Sequence, residues 1–136
     1  MRKLSVAGRV FAVIVAVTLA LSGNIAVAAS FDVGSKITLD APGRVHRHRL
    51  FTLSGHVTSR KRFCERNRTV ELLRDGIVVD TTTTNSKGAY HFDQRITRKT
   101  VFQTRVLEKT DGTHPDIRHC KSAESKRVTV RIKRRH

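Results

Sequence analysis

Two cysteines and three runs of basic side chains are the residues of this chain whose types and spacing suggest chemistry. Cys64 and Cys120 could form a disulfide, share a metal with His114 and His119, or remain free thiols. The spacing H-x4-H-C matches no compact ligand pattern, since metal-binding pairs usually sit about two to four residues apart. In an oxidising compartment an even cysteine count argues for a disulfide. Closing so long a loop would remove about 4 kcal/mol of unfolded-chain entropy in the simplest model. His46 and His48 share one side of a strand-like segment, but too few partners surround them for a metal site. No metal and no cofactor is expected.

The basic runs are Arg44, Arg47 and Arg49; Arg60, Lys61 and Arg62, continued by Arg66 and Arg68; and Arg127, Arg131, Lys133, Arg134 and Arg135. Lys and Arg total 27 against 11 acids, a formal charge of +16. Such a charge attracts polyanions over a distance, and salt weakens the attraction. Its plainer role is to keep the chain soluble. Sequence-specific reading of nucleic acid is not expected, because the chain has neither a recognition helix nor an exposed aromatic platform.

Catalytic residues are not expected. No serine sits in a G-x-S-x-G elbow, and Ser54-Gly55-His56 reads as part of a strand. The acids are scattered singly, without the clustered oxygens of a calcium loop or the glycines of a phosphate loop. A hydrolase with an atypical site is therefore the weakest functional reading.

The elements that must carry these residues follow an export signal. Met1 to Arg9 is basic, Val10 to Leu21 is almost wholly apolar, and Ala26-Val27-Ala28 ends a small-residue stretch. This pattern predicts a signal peptide over residues 1–29, cut near Ala28 or Ala29. Twelve apolar residues would span only about 18 Å as a helix, too little for a bilayer core. No later stretch could cross a membrane. Loss of the leader takes Arg2, Lys3 and Arg9 with it and lowers the charge of +16 by three.

After a short segment over residues 30–34, the region 35–133 alternates like a sheet protein. Ile37 and Leu39 face inward from Ser35–Asp40, and Phe51, Leu53, Gly55 and Val57 share one parity. Gly55 in mid-strand implies a bulge or a close backbone approach. Val70–Arg74 and Ile77–Thr84 flank Asp75-Gly76, a type I′ hairpin signal. Asn85 to Gly88 makes the next turn, and Tyr90 and Phe92 follow on one face. Phe102, Thr104 and Val106 form a further inward face, and Val128, Val130 and Ile132 a last one. Lys109 to Ala123 reads as a long loop with a turn at Asp111-Gly112. The tail 134–136 is basic. The expectation is all-β: an antiparallel sandwich of about seven strands.

Several motifs sharpen this. Leu53-Ser54-Gly55-His56-Val57 precedes a basic loop with Cys64. R-x-V-x-L-x-R spans Arg68 to Arg74, T-x-x-x-G-x-Y-x-F spans Thr84 to Phe92, and C-x-x-A-x-S-x-x-V-x-V spans Cys120 to Val130. This order resembles the small Ig-like modules of secreted Gram-positive bacterial proteins, often of unknown function. More loosely, it is similar to carboxypeptidase regulatory-like and prealbumin-like sandwiches. The resemblance covers Lys36 to Lys133. It implies that Cys64 pairs with Cys120, that Gly88 is the turn glycine and that Tyr90 is the core aromatic; Phe102 stands where the pattern has Tyr. It implies no activity, because a fold does not deliver a function. The expected role is a secreted, non-enzymatic module at the cell envelope or extracellular matrix, binding anionic polymers such as teichoic acids, acidic glycans or released DNA. The alternative is a secreted effector or inhibitor that binds a protein partner through its loops, such as Lys109 to His119.

Overall fold

A computed structural model of the chain describes residues 31–113 and 116–135. The leader expected over 1–29 and its cleavage site lie outside the described residues, as does His114. Among the described residues twelve strands follow in chain order: β1 Phe31–Val33, β2 Ser35–Ile37, β3 Arg44–Val45, β4 Phe51–Ser59, β5 Thr69–Arg74, β6 Ile77–Thr83, β7 Ala89–Gln94, β8 Thr100–Val106, β9 Lys109–Asp111, β10 Arg118–Cys120, β11 Ala123–Glu124 and β12 Val128–Ile132. A single 3-10 turn, Arg62–Cys64, is the helical element among the described residues. No described helix is long and apolar enough to cross a membrane.

Two sheets face each other. One has the order β3-β12-β8-β5-β6, with β11 also on β8; the other is β2-β4-β7. Leu53 and Val57 of β4, Tyr90 and Phe92 of β7, and Ile37 of β2 pack against Val70, Leu72, Phe102, Val106 and Val130 of the larger sheet. Alternation puts these residues inside, and burying them is the main driving force for the fold. A small third sheet, β1-β10-β9, closes one end, with β1 parallel to β10. The segment Lys109–Ala123 is thus not a loop throughout: β9 and β10 pair antiparallel from Lys109–Cys120 to Asp111–Arg118. Strands of three residues are too short to display a period in sequence.

Local chemistry explains the joints. Asp75 and Gly76 both have positive φ, 50° and 85°, as a type I′ turn requires. Asn85 Oδ1 accepts from the N–H groups of Lys87 and Ala89, and Gly88 takes φ 78°. Gly55 marks a close approach and not a bulge, since the β4–β7 register runs unbroken through Gly55 opposite Tyr90. A Cβ at Gly55 would collide with the Thr38 carbonyl and the Tyr90 hydroxyl. That hydroxyl donates to the Thr38 carbonyl and lies 2.8 Å from Thr104 Oγ1, linking the two sheets through the core. Burial, the largest cause, pushes the Tyr90 phenol up to about 12.

β6 lies at the edge of its sheet. Its apolar start is exposed, with Ile77 at 69% and Val79 at 47%. The β5–β6 register slips between Leu72 and Leu73, leaving Val79 as an extra residue in β6. That bulge and Asp80 blunt an edge that would otherwise invite another strand.

Candidate anion-binding surface

The groove that gathers seven lysines and arginines is built around β3 and β12. Val45 is buried and anchors β3 in the core, so Arg44 and His46 on either side turn outward. β12 pairs parallel to β3, placing Arg131 against Arg44 and Ile132 against Val45. The Arg131 N–H donates to the Gly43 carbonyl at 3.0 Å and the Lys133 N–H to the Val45 carbonyl at 2.8 Å. The chain then turns at Arg47-His48, where His48 takes φ 64° and its N–H donates to the Ile96 carbonyl. His46 and His48 therefore do not share one side of an extended strand as their spacing implies. Ile96 is fully buried and plugs the β7–β8 connection, which displays Arg98 and Lys99 beside β3.

The result is an open groove of about 1100 Å³ lined by Arg44, His46, Arg47, Thr97, Arg98, Lys99, Arg131, Ile132, Lys133 and Arg134. An adjoining hollow adds Arg49 and Arg135 and shares His46, Arg47 and Lys133. Neither lining includes a carboxylate. Two runs far apart in sequence thus form one surface. Sequence reasoning missed Arg98 and Lys99; the signal was available in Gln94 to Lys99, whose Arg95, Arg98 and Lys99 make a further basic run.

The other basic residues fall elsewhere. Arg127 lines a small hollow with Asp75, Gly76 and Val101, away from the groove. Arg60 and Lys61 line a second concavity with Lys36 and Asp32, at the opposite end of β4. Arg62 is exposed in the 3-10 turn next to them.

Arg68 leaves the surface group altogether. It is fully buried. Its Nη1 donates to the Cys64 carbonyl at 2.6 Å and Ser35 Oγ at 2.9 Å, and its Nη2 to the carbonyls of Leu107 at 2.8 Å and Lys121 at 2.9 Å. Nε has no partner. Desolvation lowers its pKa, since burial disfavours a charge with no carboxylate beside it. Cys64 and Cys120 are bonded to each other, fully buried, with Cα atoms 5.5 Å apart. Arg68 thus ties Cys64 to Lys121, the residue after its disulfide partner.

Among the described residues no group of three or more His, Cys, Asp or Glu could hold a metal ion. The nearest approach to a histidine constellation is His119, with Nδ1 3.1 Å from Thr110 Oγ1 and Nε2 3.4 Å from Glu108. Thr110 and His119 are direct cross-strand partners, and the Glu108 side chain is 71% exposed. This is the geometry of an ordinary surface pair.

No family model matches the chain, and no curated protein matches it in sequence. Among solved structures it is similar to the CARDB domain of a Pyrococcus furiosus protein, crystallised in complex with di-metal ions. The TM-score is 0.50 at 11% identity, over 79% of this chain and 97% of that one. The fold is an Ig-like β-sandwich. The sulfur carrier protein SoxY from Chlorobium limicola f thiosulfatophilum is a more distant likeness, with TM-score 0.44 at 6% identity over 87% of this chain and 96% of that one. At 11% identity the likeness to the CARDB domain is one of architecture alone, and the metal ions of that complex belong to that protein.

Proposed function

We propose that this chain is a secreted, non-enzymatic Ig-like module that binds linear anionic polymers at the cell envelope or in the extracellular matrix. The observation that supports this reading is the pairing of β3 with β12, which merges two basic runs into one groove without a carboxylate. Guanidinium groups match phosphate, sulfate or carboxylate oxygens with two parallel donors, so Arg44, Arg47, Arg98 and Arg131 suit such groups along a polymer. No Phe, Tyr or Trp side chain lines the groove and His46 is its single ring, so charge and spacing more than stacking on a base or sugar would carry recognition. The leader expected over residues 1–29 and the buried disulfide both favour an oxidising compartment. A protein partner received by Lys109 to His119 has less support, because β9 and β10 hold much of that segment in paired strands.

The test is retention on immobilised polyphosphate under a salt gradient. Binding by counterion release falls steeply with salt. Replacing Arg44, Arg98 and Arg131 by Ser is expected to lower the eluting salt and flatten the salt dependence. Retention that persists unchanged at about 1 M salt, where screening leaves a Debye length of about 3 Å, would overturn the reading.

A further inference from the structure

The second concavity, where Lys36, Arg60 and Lys61 outnumber a single carboxylate, Asp32, sits at the far end of the molecule from the groove. The axis between them is β4. Phe51 begins it next to the groove, where β7 ends and Ile96 follows, and Ser59 ends it against Ser35. Its nine residues span roughly 30 Å. That is several times the Debye length of about 8 Å at physiological salt, so the two ends act on polyanions independently. β4 is also rigid, held between β2 and β7.

What lies between the ends matters as much. The outward face of β4 carries Thr52, Ser54, His56 and Thr58, with no lysine or arginine, and Thr52 bonds to Asp93 beside it. The β6 edge is no more attractive: Asp75 to Ser86 contains Asp75 and Asp80 and no basic residue. A polymer segment lying across this waist would meet hydroxyls, the His56 imidazole and carboxylates, and no lysine or arginine of β4 or β6. The favourable arrangement is one polymer at each end.

We infer that the module has two separate polyanion sites, the groove and the Lys36–Arg60–Lys61 end, and that one molecule bridges two polymer chains. This rests on the polyanion reading of the groove. A binder with one site coats a polymer; a binder with two links polymers into a network, an effect of valency and not of affinity.

The experiment uses the exported, oxidised protein and three-residue variants of equal charge change: Arg44→Ser/Arg98→Ser/Arg131→Ser at the groove and Lys36→Ser/Arg60→Ser/Lys61→Ser at the far end. Calorimetric titration with a polyphosphate too short to span β4 is expected to give two chains per protein and one for each variant. Polyphosphate-coated beads of two colours should clump with the parent protein. With either variant they should still adsorb protein but clump at least tenfold less. A stoichiometry of one for the parent, or a far-end variant that clumps beads undiminished (as a dimer joined elsewhere would), overturns the bridging inference and leaves the groove intact. Short-chain binding that neither variant weakens overturns the polyanion reading itself.

Discussion

Arg68 and Arg131 lie at opposite ends of one sandwich, and the same side chain does different things in the two places. Arg68 is buried with no carboxylate near it and gives four hydrogen bonds to the oxygens of Ser35, Cys64, Leu107 and Lys121. Arg131 stands in an open groove among other cations. Burying an isolated charge is costly unless its hydrogen bonds are met, so Arg68 is tolerated only because four chain segments converge on it. The groove cations repel one another and hold nothing together. At one end the arginine organises the chain; at the other the chain organises the arginines.

The sharpest way to break this comparison is to remove Arg68. Arg68→Ala would leave three carbonyls and a hydroxyl without their donor, together with a cavity. The expected loss is on the order of 4 kcal/mol, enough to unfold many small domains. Arg68→Lys should recover part of it, because an ammonium reaches fewer of the four acceptors. Urea denaturation reads both. If Arg68→Ala melts like the parent, the buried arginine is no more structural than those in the groove.

The disulfide comes next. Cys64→Ala/Cys120→Ala is expected to cost about 4 kcal/mol in the chain-entropy model, or somewhat less. Arg68 still joins the carbonyls of residues 64 and 121 in this variant, so its melting temperature should fall while its folded fraction binds polyphosphate at the groove unchanged. An unchanged melt after verified reduction would sink the staple.

Between the two ends, Tyr90 ties the sheets together through Thr38 and Thr104. Its phenol rises from the ordinary 10.0 to about 12. The sign follows from which state ionises first. Below pH 10 the phenol is neutral folded or unfolded, and its contribution is fully present. Above that the unfolded chain ionises while the folded one does not, so stability falls, by on the order of 2 kcal/mol when the folded value is passed. Tyr90 is the chain's single tyrosine, so phenolate absorbance follows it directly. An apparent midpoint near the ordinary value in folded protein would place the ring in water. In Tyr90→Phe this part of the alkaline loss should vanish.

How much of this was legible depended on the range of the interaction. Asp75-Gly76 and Asn85 to Gly88 declare their turns within four residues, and Phe102, Thr104 and Val106 face the core as their parity implies. The Arg44–Arg131 pairing is invisible in sequence, because parallel strands of two and five residues joined over most of the chain leave no local pattern. Arg68 reads like Arg66 beside it; what separates them is the arrival of Leu107 and Lys121 from far along the chain. Ile77-Val78-Val79 looks like core and lies on an exposed edge, since a run of β-branched residues specifies a strand but not its place in the sheet.

The smallest expected effect on stability sharpens the comparison most. Arg131→Ser keeps its backbone bond to Gly43 and removes only a solvated cation from a crowd of like charges. Its stability should lie within about 0.5 kcal/mol of the parent, on the favourable side as repulsion is relieved. Polyphosphate affinity at low salt should nevertheless drop severalfold, with a shallower salt slope. Adding salt should shrink both differences together, because repulsion between the groove cations and attraction to the polymer are screened alike. A variant that lost stability and affinity in equal proportion would show that the groove arginines, like Arg68, are part of the frame.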